Sequence, residues 1–496
     1  MRPARPLLTA GEMRAVERDF FAAGHDSFAL MRVAAGKVAD AARAMLGHGT
    51  GRVAVLAGPG NNGGDGLVAA HLLQSAGCRV SVFAAAAPEA WRGDAGLAFR
   101  LWAGPVLGPG SELPEADLII DALFGTGLGR PLEGPAAALA ARARDSGRPV
   151  LSVDIPSGID SDTGEVRGTA VCASRTVTFH CAKPGHVLLP GRLHAGVLEV
   201  ADIGLPPPAR PRLWENGPGL WRLPVPAPDA HKYSRGGAAV WSGPELATGA
   251  ARLAARAALR AGAGAVTLCG PEAALRIHAA HETAIMLHPA AAGELARFLA
   301  SPRVRAVCVG PGAGAGVRAV AEAALGSGAA VVLDADALTA FAGEAEALAD
   351  LICARDRPVV LTPHAGEFKR LFPAIEGARL PRALVAARMT GAVVVLKGPD
   401  SVIAAPDGRA AVNANAPAWL ASAGSGDVLA GLATGLLAQG LAGFEAAAAA
   451  VWLHGALGAA LGPGLVAEDL VGEAFRGVLA QALRLQEEAS STQTGT

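Results

Sequence analysis

The chain has 496 residues, 51% of them hydrophobic and 18% charged, with a formal net charge of −1. That length suits two or three domains, and the near-neutral balance gives no electrostatic ground for a nucleic-acid or membrane-surface partner. Six scattered cysteines with no C-x-x-C pair suggest neither a zinc site nor a disulfide frame.

The opening MRPARPLLTAGEMRAVERDF lacks a long apolar run ahead of a cleavage site, so the chain is read as a cytoplasmic enzyme. Helical patterning runs through roughly 10–46. Short apolar runs bounded by glycine or proline follow: RVAVLAG at 52–58, RVSVFAAA at 79–86, DLIIDALF at 117–124, PVLSVDIP at 149–156 and TVTFH at 176–180. Runs of this kind read as buried parallel strands, and the alternation with helices predicts a doubly wound α/β sheet. Residues 205–230 carry eight prolines and read as a break in regular structure. Beyond it AAVWSG, GAVTLCG, AVCVGPG, AVVLDAD, PVVLTPH and AVVVLKG repeat the strand pattern between alanine-rich helices, predicting a second α/β layered domain. The apolar stretch near 441–461 is interrupted by Glu445 and His454 and reads as a buried helix rather than a membrane span. The expected organisation is a domain over 1–215, a proline-rich linker over 216–230, a domain over 231–488 and a disordered tail over 489–496.

In the first half, the first strand runs into G58-P-G-N-N-G-G-D-G66. The glycines suit a phosphate group at a helix N-terminus. The next strand ends in alanines, with only Glu89 beyond, so the ribose-binding acid of an ordinary dinucleotide oxidoreductase is missing. The loop instead carries Asn61, Asn62 and Asp65. Two further strand ends carry acids: Asp121 before FGTGLGRP, and Asp154 before IPSGID. Any one of the three acids could cap a helix. Together, on the rim where the strands of an open sheet end, they exceed what capping needs. GPGNNGGDG, DALFGTGLGRP and SVDIPSGID, with the opening LLTAGEMRAVERD, resemble the NAD(P)H-hydrate epimerase family over about 1–205. The resemblance implies a Rossmann-like domain with a potassium ion at Asn62, Asp121 and Ser157. It implies substrate contacts at Asn61, Asn62, Gly63, Gly64, Asp65, at Gly125, Thr126, Gly127, Leu128, Gly129, Arg130, Pro131, and at Asp154. Amide, carboxylate and hydroxyl oxygens are hard ligands suited to such a cation. Epimerising a hydrated ring carbon needs a group that takes and returns a proton, and Asp154 is the residue expected to do so.

In the second half, N415-A-P-A-W-L-A-S-A-G-S-G-D-V-L-A-G431 places a glycine loop ahead of an apolar helix expected to begin at Val428. The N–H groups of Gly424, Ser425 and Gly426 would form an anion cradle, and Asp427 is placed to accept a proton beside it. As a bland alternative, Asp427 would only stabilise the helix dipole. The loop resembles the G-x-G-D element of ribokinase-like small-molecule kinases. With H231-K-Y-S-R-G236, V309-G-P-G-A-G314, L361-T-P-H-A-G-E367 and V395-L-K-G-P-D-S401, the stretch over about 225–485 is similar to the ADP- or ATP-dependent NAD(P)H-hydrate dehydratases. That resemblance implies nucleotide contacts at Lys397, Gly398, Pro399, Asp400, Ser401 and Gly426, and hydrate contacts at Ala250, Gly312, His364 and Asp427. It implies ADP as co-substrate and Mg2+. Lysine is scarce, with only Lys37, Lys183, Lys232, Lys369 and Lys397, which favours a specific role for those that remain.

The expected function is repair of hydrated NADH and NADPH (NADHX and NADPHX) by a homo-oligomer. The first half would interconvert the R and S epimers, and the second would dehydrate the S form while converting ADP to AMP and phosphate. A small-molecule kinase fused to a nucleotide-binding accessory domain is the alternative.

Overall fold

The computed structural model describes residues 3–111 and 115–493. The chain forms two compact units, one spanning Pro6–Pro211 and the other running from Arg212 onward with the first few residues of the chain.

The first unit is built on seven parallel strands. Their spatial order is Val106–Leu107, Arg79–Ala84, Arg52–Ala57, Leu118–Ala122, Val150–Val153, Arg175–Phe179 and Val197–Ala201. Side chains of Arg52–Ala57 alternate between two apolar layers. Val53 and Val55 pack under the helices Ser27–Met45 and Asn61–Ser75, while Ala54 and Leu56 pack under Gly134–Asp145. From Arg52–Ala57 the chain moves outward on one side, then returns to Leu118–Ala122 on the other. This reversal opens a crevice at the strand ends, where open α/β sheets place their ligands.

The second unit holds an eleven-stranded sheet. Its parallel centre runs Met286–Pro289, Ala265–Gly270, Gly237–Trp241, Val304–Val309, Ala330–Leu333, Val359–Leu361 and Val393–Leu396. Val402–Ala404 and Ala410–Val412 continue it antiparallel. The order in which strands are added reverses between the parallel neighbours Gly237–Trp241 and Val304–Val309, again with the motif loops at the carboxyl ends. The helices Ser425–Ala438 and Gly443–Leu461 are the apolar centre of this unit. The second is long and apolar enough to cross a membrane by composition, and most of its side chains are buried in the core.

Two expectations about organisation are corrected. Residues 216–230 do not form a free linker. Leu213–Glu215 pairs with Ala410–Val412, and Trp221 is 1% exposed. Its indole N–H donates to Asn216 Oδ1 (3.1 Å), and its ring meets Trp452 edge-on at 5.6 Å. Proline does prevent regular structure there, but burial of a large indole decides where the segment lies. The tail expected to be disordered from 489 is helical as far as Gln493, within Ala474–Gln493, and 494–496 lie outside the described residues. A fragment starting at Arg212 is therefore expected to unfold cooperatively in urea, and one starting at His231 is not. Trp221→Ala in the longer fragment should lower its stability by about 3–5 kcal/mol.

Candidate active sites

In the first unit the glycine loop closes on the neighbouring strand end. A Cβ at Gly58 would lie 1.8 Å from the Leu123 carbonyl oxygen, and one at Gly63 1.7 Å from that of Gly58. Only glycine lets the helix Asn61–Ser75 begin there. Gly125 is less tightly constrained, by side-chain ends rather than backbone: its Cβ would fall 2.8 Å from Asp154 Oδ2 and 2.9 Å from Asn62 Oδ1. Asn62, Gly125 and Asp154 thus lie against one another. Asp121 is fully buried and accepts hydrogen bonds from the Ser157 hydroxyl (2.6 Å) and N–H (2.9 Å) and from the Ser152 hydroxyl (2.9 Å). Burial raises its pKa, and these hydrogen bonds oppose the rise. Ser157 Oγ in turn accepts the Phe124 N–H. The side-chain nitrogen of Asn62 is buried without a partner.

Asp154 occupies the left-handed region at φ 65°, a conformation that a non-glycine residue holds only under constraint. The constraints are visible. Thr126 N–H donates to Oδ2 (3.0 Å), Thr178 Oγ1 to Oδ1 (3.0 Å) and Lys183 Nζ to Oδ1 (2.7 Å). Lys183 N–H donates to His186 Nδ1, which leaves His186 Nε2 to carry the ring proton and donate to the Asp154 carbonyl (2.9 Å). Lys183 is 1% exposed and also donates to Thr178 Oγ1 and the Phe179 carbonyl. Burial alone would raise the Asp154 pKa, but the Lys183 ammonium overcomes it and holds the carboxyl down at about 2. The expectation that Asp154 exchanges a proton therefore needs revision. So acidic a group stays ionised and is a weak base. Asp65 is tuned the opposite way: burial, then Asp154 and Glu17, push it well above the ordinary carboxylate range.

In the second unit the helix begins at Ser425, earlier than Val428, so Ser425 and Gly426 are themselves its first turn. Gly424 caps it at φ 86°. The Gly426 Cα faces Lys397, with a Cβ there 3.4 Å from Nζ. Lys397 pairs with Asp334 (2.6 Å) and lies 3.8 Å from Glu367. Burial, helped by Asp334, raises the Asp427 pKa to about 6 against the pull of Lys397. Ser425 Oγ is 2.9 Å from His454 Nε2, and burial lowers that histidine to about 4, so it is neutral. Gly312, at φ 59°, lies against Ala250, with its Cβ position 3.2 Å from the alanine's.

Three residues named from the sequence are turned to structural use. His364 caps the helix Ala365–Leu371 through Nδ1, in a reciprocal box with Glu367, while its ring stays about half exposed. Asp400 is buried and paired with Arg379 at 3.1 Å. Ser401 hydrogen-bonds back to Gly398. Conversely, Lys183, His186, Glu17 and Asp334 were not assigned roles from the sequence. The rarity of lysine was the one signal, and it pointed at Lys183 without naming its partner.

A family model described as NAD(P)H-hydrate dehydratase matches residues 238–467, and one described as YjeF-related protein N-terminus matches 27–185. The bifunctional NAD(P)H-hydrate repair enzyme of Salinibacter ruber is 39% identical, with 91% of each chain covered. That of Gloeobacter violaceus is 40% identical over 91% of this chain and 92% of its own. Among solved structures, the ADP/ATP-dependent NAD(P)H-hydrate dehydratase from Bacillus subtilis, co-crystallised with ATP/Mg2+, is 28% identical. It covers 53% of this chain and 95% of that one, with a TM-score of 0.46.

Proposed function

The chain belongs to the bifunctional NAD(P)H-hydrate repair enzymes, and from that premise we propose how its two sites divide the work. Hydration of the nicotinamide ring yields two epimers at the hydrated carbon. A site that recognises a hydroxyl through placed polar groups rejects the wrong one, so the dehydrating half needs an epimerising half. The observation that carries the division is the opposite tuning of two acids. Asp154 is locked as an anion near pKa 2, and Asp427 is poised at about 6 beside an anion cradle.

In the second unit, Asp427 accepts the proton of the hydroxyl as its oxygen attacks the terminal phosphoryl group of ADP, releasing AMP. Lys397 and the N–H groups of Gly424, Ser425 and Gly426 offset the moving charge. Phosphate then leaves with the C–O electron pair, pushed out by the ring nitrogen. Loss of a proton from the neighbouring carbon restores the reduced ring. A magnesium ion carried with the nucleotide would further neutralise the phosphates. Gly398 and Pro399 line the nucleotide side, with Asp400 and Ser401 shaping their turn, while Ala250, Gly312 and His364 face the hydrate.

In the first unit, Gly63, Gly64 and the 125–131 loop bind the hydrate. Asp154 contributes fixed negative charge beside the ring instead of a mobile proton. Asn62, Asp121 and Ser157 suit a potassium ion. The partnerless amide end of Asn62 becomes an oxygen donor on rotation of the amide by half a turn, and Asp121 and Ser157 supply further oxygens. The ion would anchor the loop and offset the pyrophosphate. Asp121→Ala is expected to weaken hydrate binding and abolish any potassium dependence of epimerisation, read by titrating the salt; an unchanged response sinks the cation assignment. We place the enzyme in the cytoplasm as a homo-oligomer acting without nucleic acid or membrane.

The test is to incubate an epimer mixture of hydrated NADH with the protein and ADP, following the absorbance of the reduced ring. Full conversion requires both activities, and conversion stalling at one epimer means that the first half is inactive. Restoration without nucleotide consumption would remove the phosphorylation step.

A further inference from the structure

In the second unit, the turn Gly424–Ser425–Gly426 has little of its own to hold it in shape. Gly424 sits at φ 86°, and glycine on both sides of Ser425 gives the backbone wide freedom. The backbone hydrogen bonds at this turn run from Ser425 N–H to the Ser422 carbonyl, long at 3.4 Å, and from Val428 N–H to the Gly424 carbonyl at 3.2 Å. The Ser422 hydroxyl is buried without a partner. Ser425 is different. It is 4% exposed, and its Oγ lies 2.9 Å from His454 Nε2. Among the described residues, this is the one side-chain hydrogen bond made by the stretch 422–426.

The helix that supplies His454, Gly443–Leu461, is a fixed reference, with most of its side chains in the core. The segment leading to the turn is laid along it. Asn415 Nδ2 donates to the Trp452 carbonyl (3.0 Å), and Asn413 Nδ2 to Asn415 Oδ1 (2.7 Å). Asn216 Nδ2 donates to Asn413 Oδ1 (3.0 Å) and to the Ala448 carbonyl (2.8 Å). Asn415 and Leu420 press on the helix where it carries glycine. A Cβ at Gly455 would lie 2.0 Å from Asn415 Oδ1, and one at Gly458 2.6 Å from Leu420 Cγ. His454 stands beside Gly455 and takes hold of the segment at its far end, where the helix Ser425–Ala438 begins. Burial keeps this imidazole neutral, so it supplies a position and not a charge.

We propose that His454 is a positioning residue of the dehydratase: by holding the Ser425 hydroxyl it fixes the N–H groups of the glycine turn before the phosphoryl group arrives. The inference rests on the reading of this turn as the cradle for phosphoryl transfer. Donors aimed in advance at developing charge need no reorganisation during the reaction. A turn held by two glycines alone would have to be ordered at each turnover. That cost falls on the transition state more than on bound ADP, which also draws on the 397–401 loop.

The full-length protein is assayed with the S hydrate of NADH, ADP and magnesium, following the reduced-ring absorbance and AMP together, with ADP binding measured by calorimetry. His454→Ala should lower kcat by about 10²-fold, the scale of an ångström of misplacement, while KM and Kd for ADP move by less than about threefold. His454→Gln, whose amide reaches the place of Nε2, should recover most of the rate. His454→Asn, which stops at the place of Nδ1, should not, and a merely structural role would not separate the two. Ser425→Ala should reproduce the loss, and the double variant should be no slower than either single one, as for two ends of one contact. Near-normal kcat in Ser425→Ala, losses that multiply in the double variant, or Gln and Asn variants that fare alike would overturn the assignment. If His454→Ala fails to bind ADP, then Ser425→Ala and His454→Gln, which disturb packing less, decide by the same criteria. If wild type restores NADH without forming AMP, it is the reading of the turn as a phosphoryl cradle that falls.

Discussion

Asp427→Asn is expected to lower the dehydration rate of the S hydrate by about 10²–10⁴-fold with ADP binding close to wild type. The amide keeps the shape and hydrogen-bonding capacity of the first helical turn but cannot accept the hydroxyl proton. The wild-type pH profile gives an independent check. Asp427 acts as a base, so it must be ionised, and burial with Asp334 raises its pKa to about 6. The rate should therefore climb through about pH 6 and level off above it, about two units above an ordinary aspartate. Removing the opposing charge with Lys397→Met should carry that limb to still higher pH, in addition to slowing phosphoryl transfer. Steady-state dehydration measured from pH 4.5 to 8, with AMP quantified in parallel, reads all of this. A variant that turns over at nearly the full rate would mean that the glycine loop only binds, and that the hydroxyl proton leaves by another route.

How much of this was legible in the sequence depends on the range of the interaction. Buried strands such as Arg52–Ala57 and Val150–Val153 announce themselves because both faces are covered and nearly every residue between their ends is apolar or small. The glycine loops are legible for a related reason: Gly58 and Gly63 sit where any Cβ would strike a carbonyl. The short strands at Val106–Leu107, Leu213–Glu215 and Val402–Ala404 were not foreseen, since three or fewer residues carry no period. Leu213–Glu215 in particular owes its place to a partner strand nearly two hundred residues away. The motif loops lie at the carboxyl ends of the strands beside the two sheet crevices, yet the charge states of their acids were illegible. Asp154 reads as a proton-exchanging acid until Lys183, 29 residues on, is found against it. His364 reads from its loop as a hydrate contact, and only the geometry shows that it also caps a helix. Such facts depend on long-range proximity, which no local spacing encodes.

Lys183→Met should be among the most damaging single changes in the first unit. It strands the Asp154 carboxylate in a buried site, and breaking a buried pair from one side typically destabilises by about 3–5 kcal/mol. The pH dependence fixes the sign. In wild type the folded Asp154 pKa is depressed to about 2. The ion pair therefore contributes stability that is present above the ordinary unfolded value and is lost as pH falls through the folded one. In Lys183→Met the lowering charge is gone while burial, which raises the pKa, remains. The folded state then prefers the neutral acid, and the variant should be relatively more stable near pH 4 than near pH 7. The gap to wild type in urea denaturation should accordingly narrow on acidification. Lys183→Arg is not expected to rescue, because a planar guanidinium needs more room than a 1% exposed ammonium site provides. Asp154→Asn in the Lys183→Met background removes the stranded charge and should recover much of the stability, but not epimerisation, since the anion facing the ring is then missing. A Lys183→Met protein that melts like wild type at pH 7 would show that the pair is solvated in solution. A double variant that interconverts the epimers would show that fixed negative charge at Asp154 has no part in the reaction.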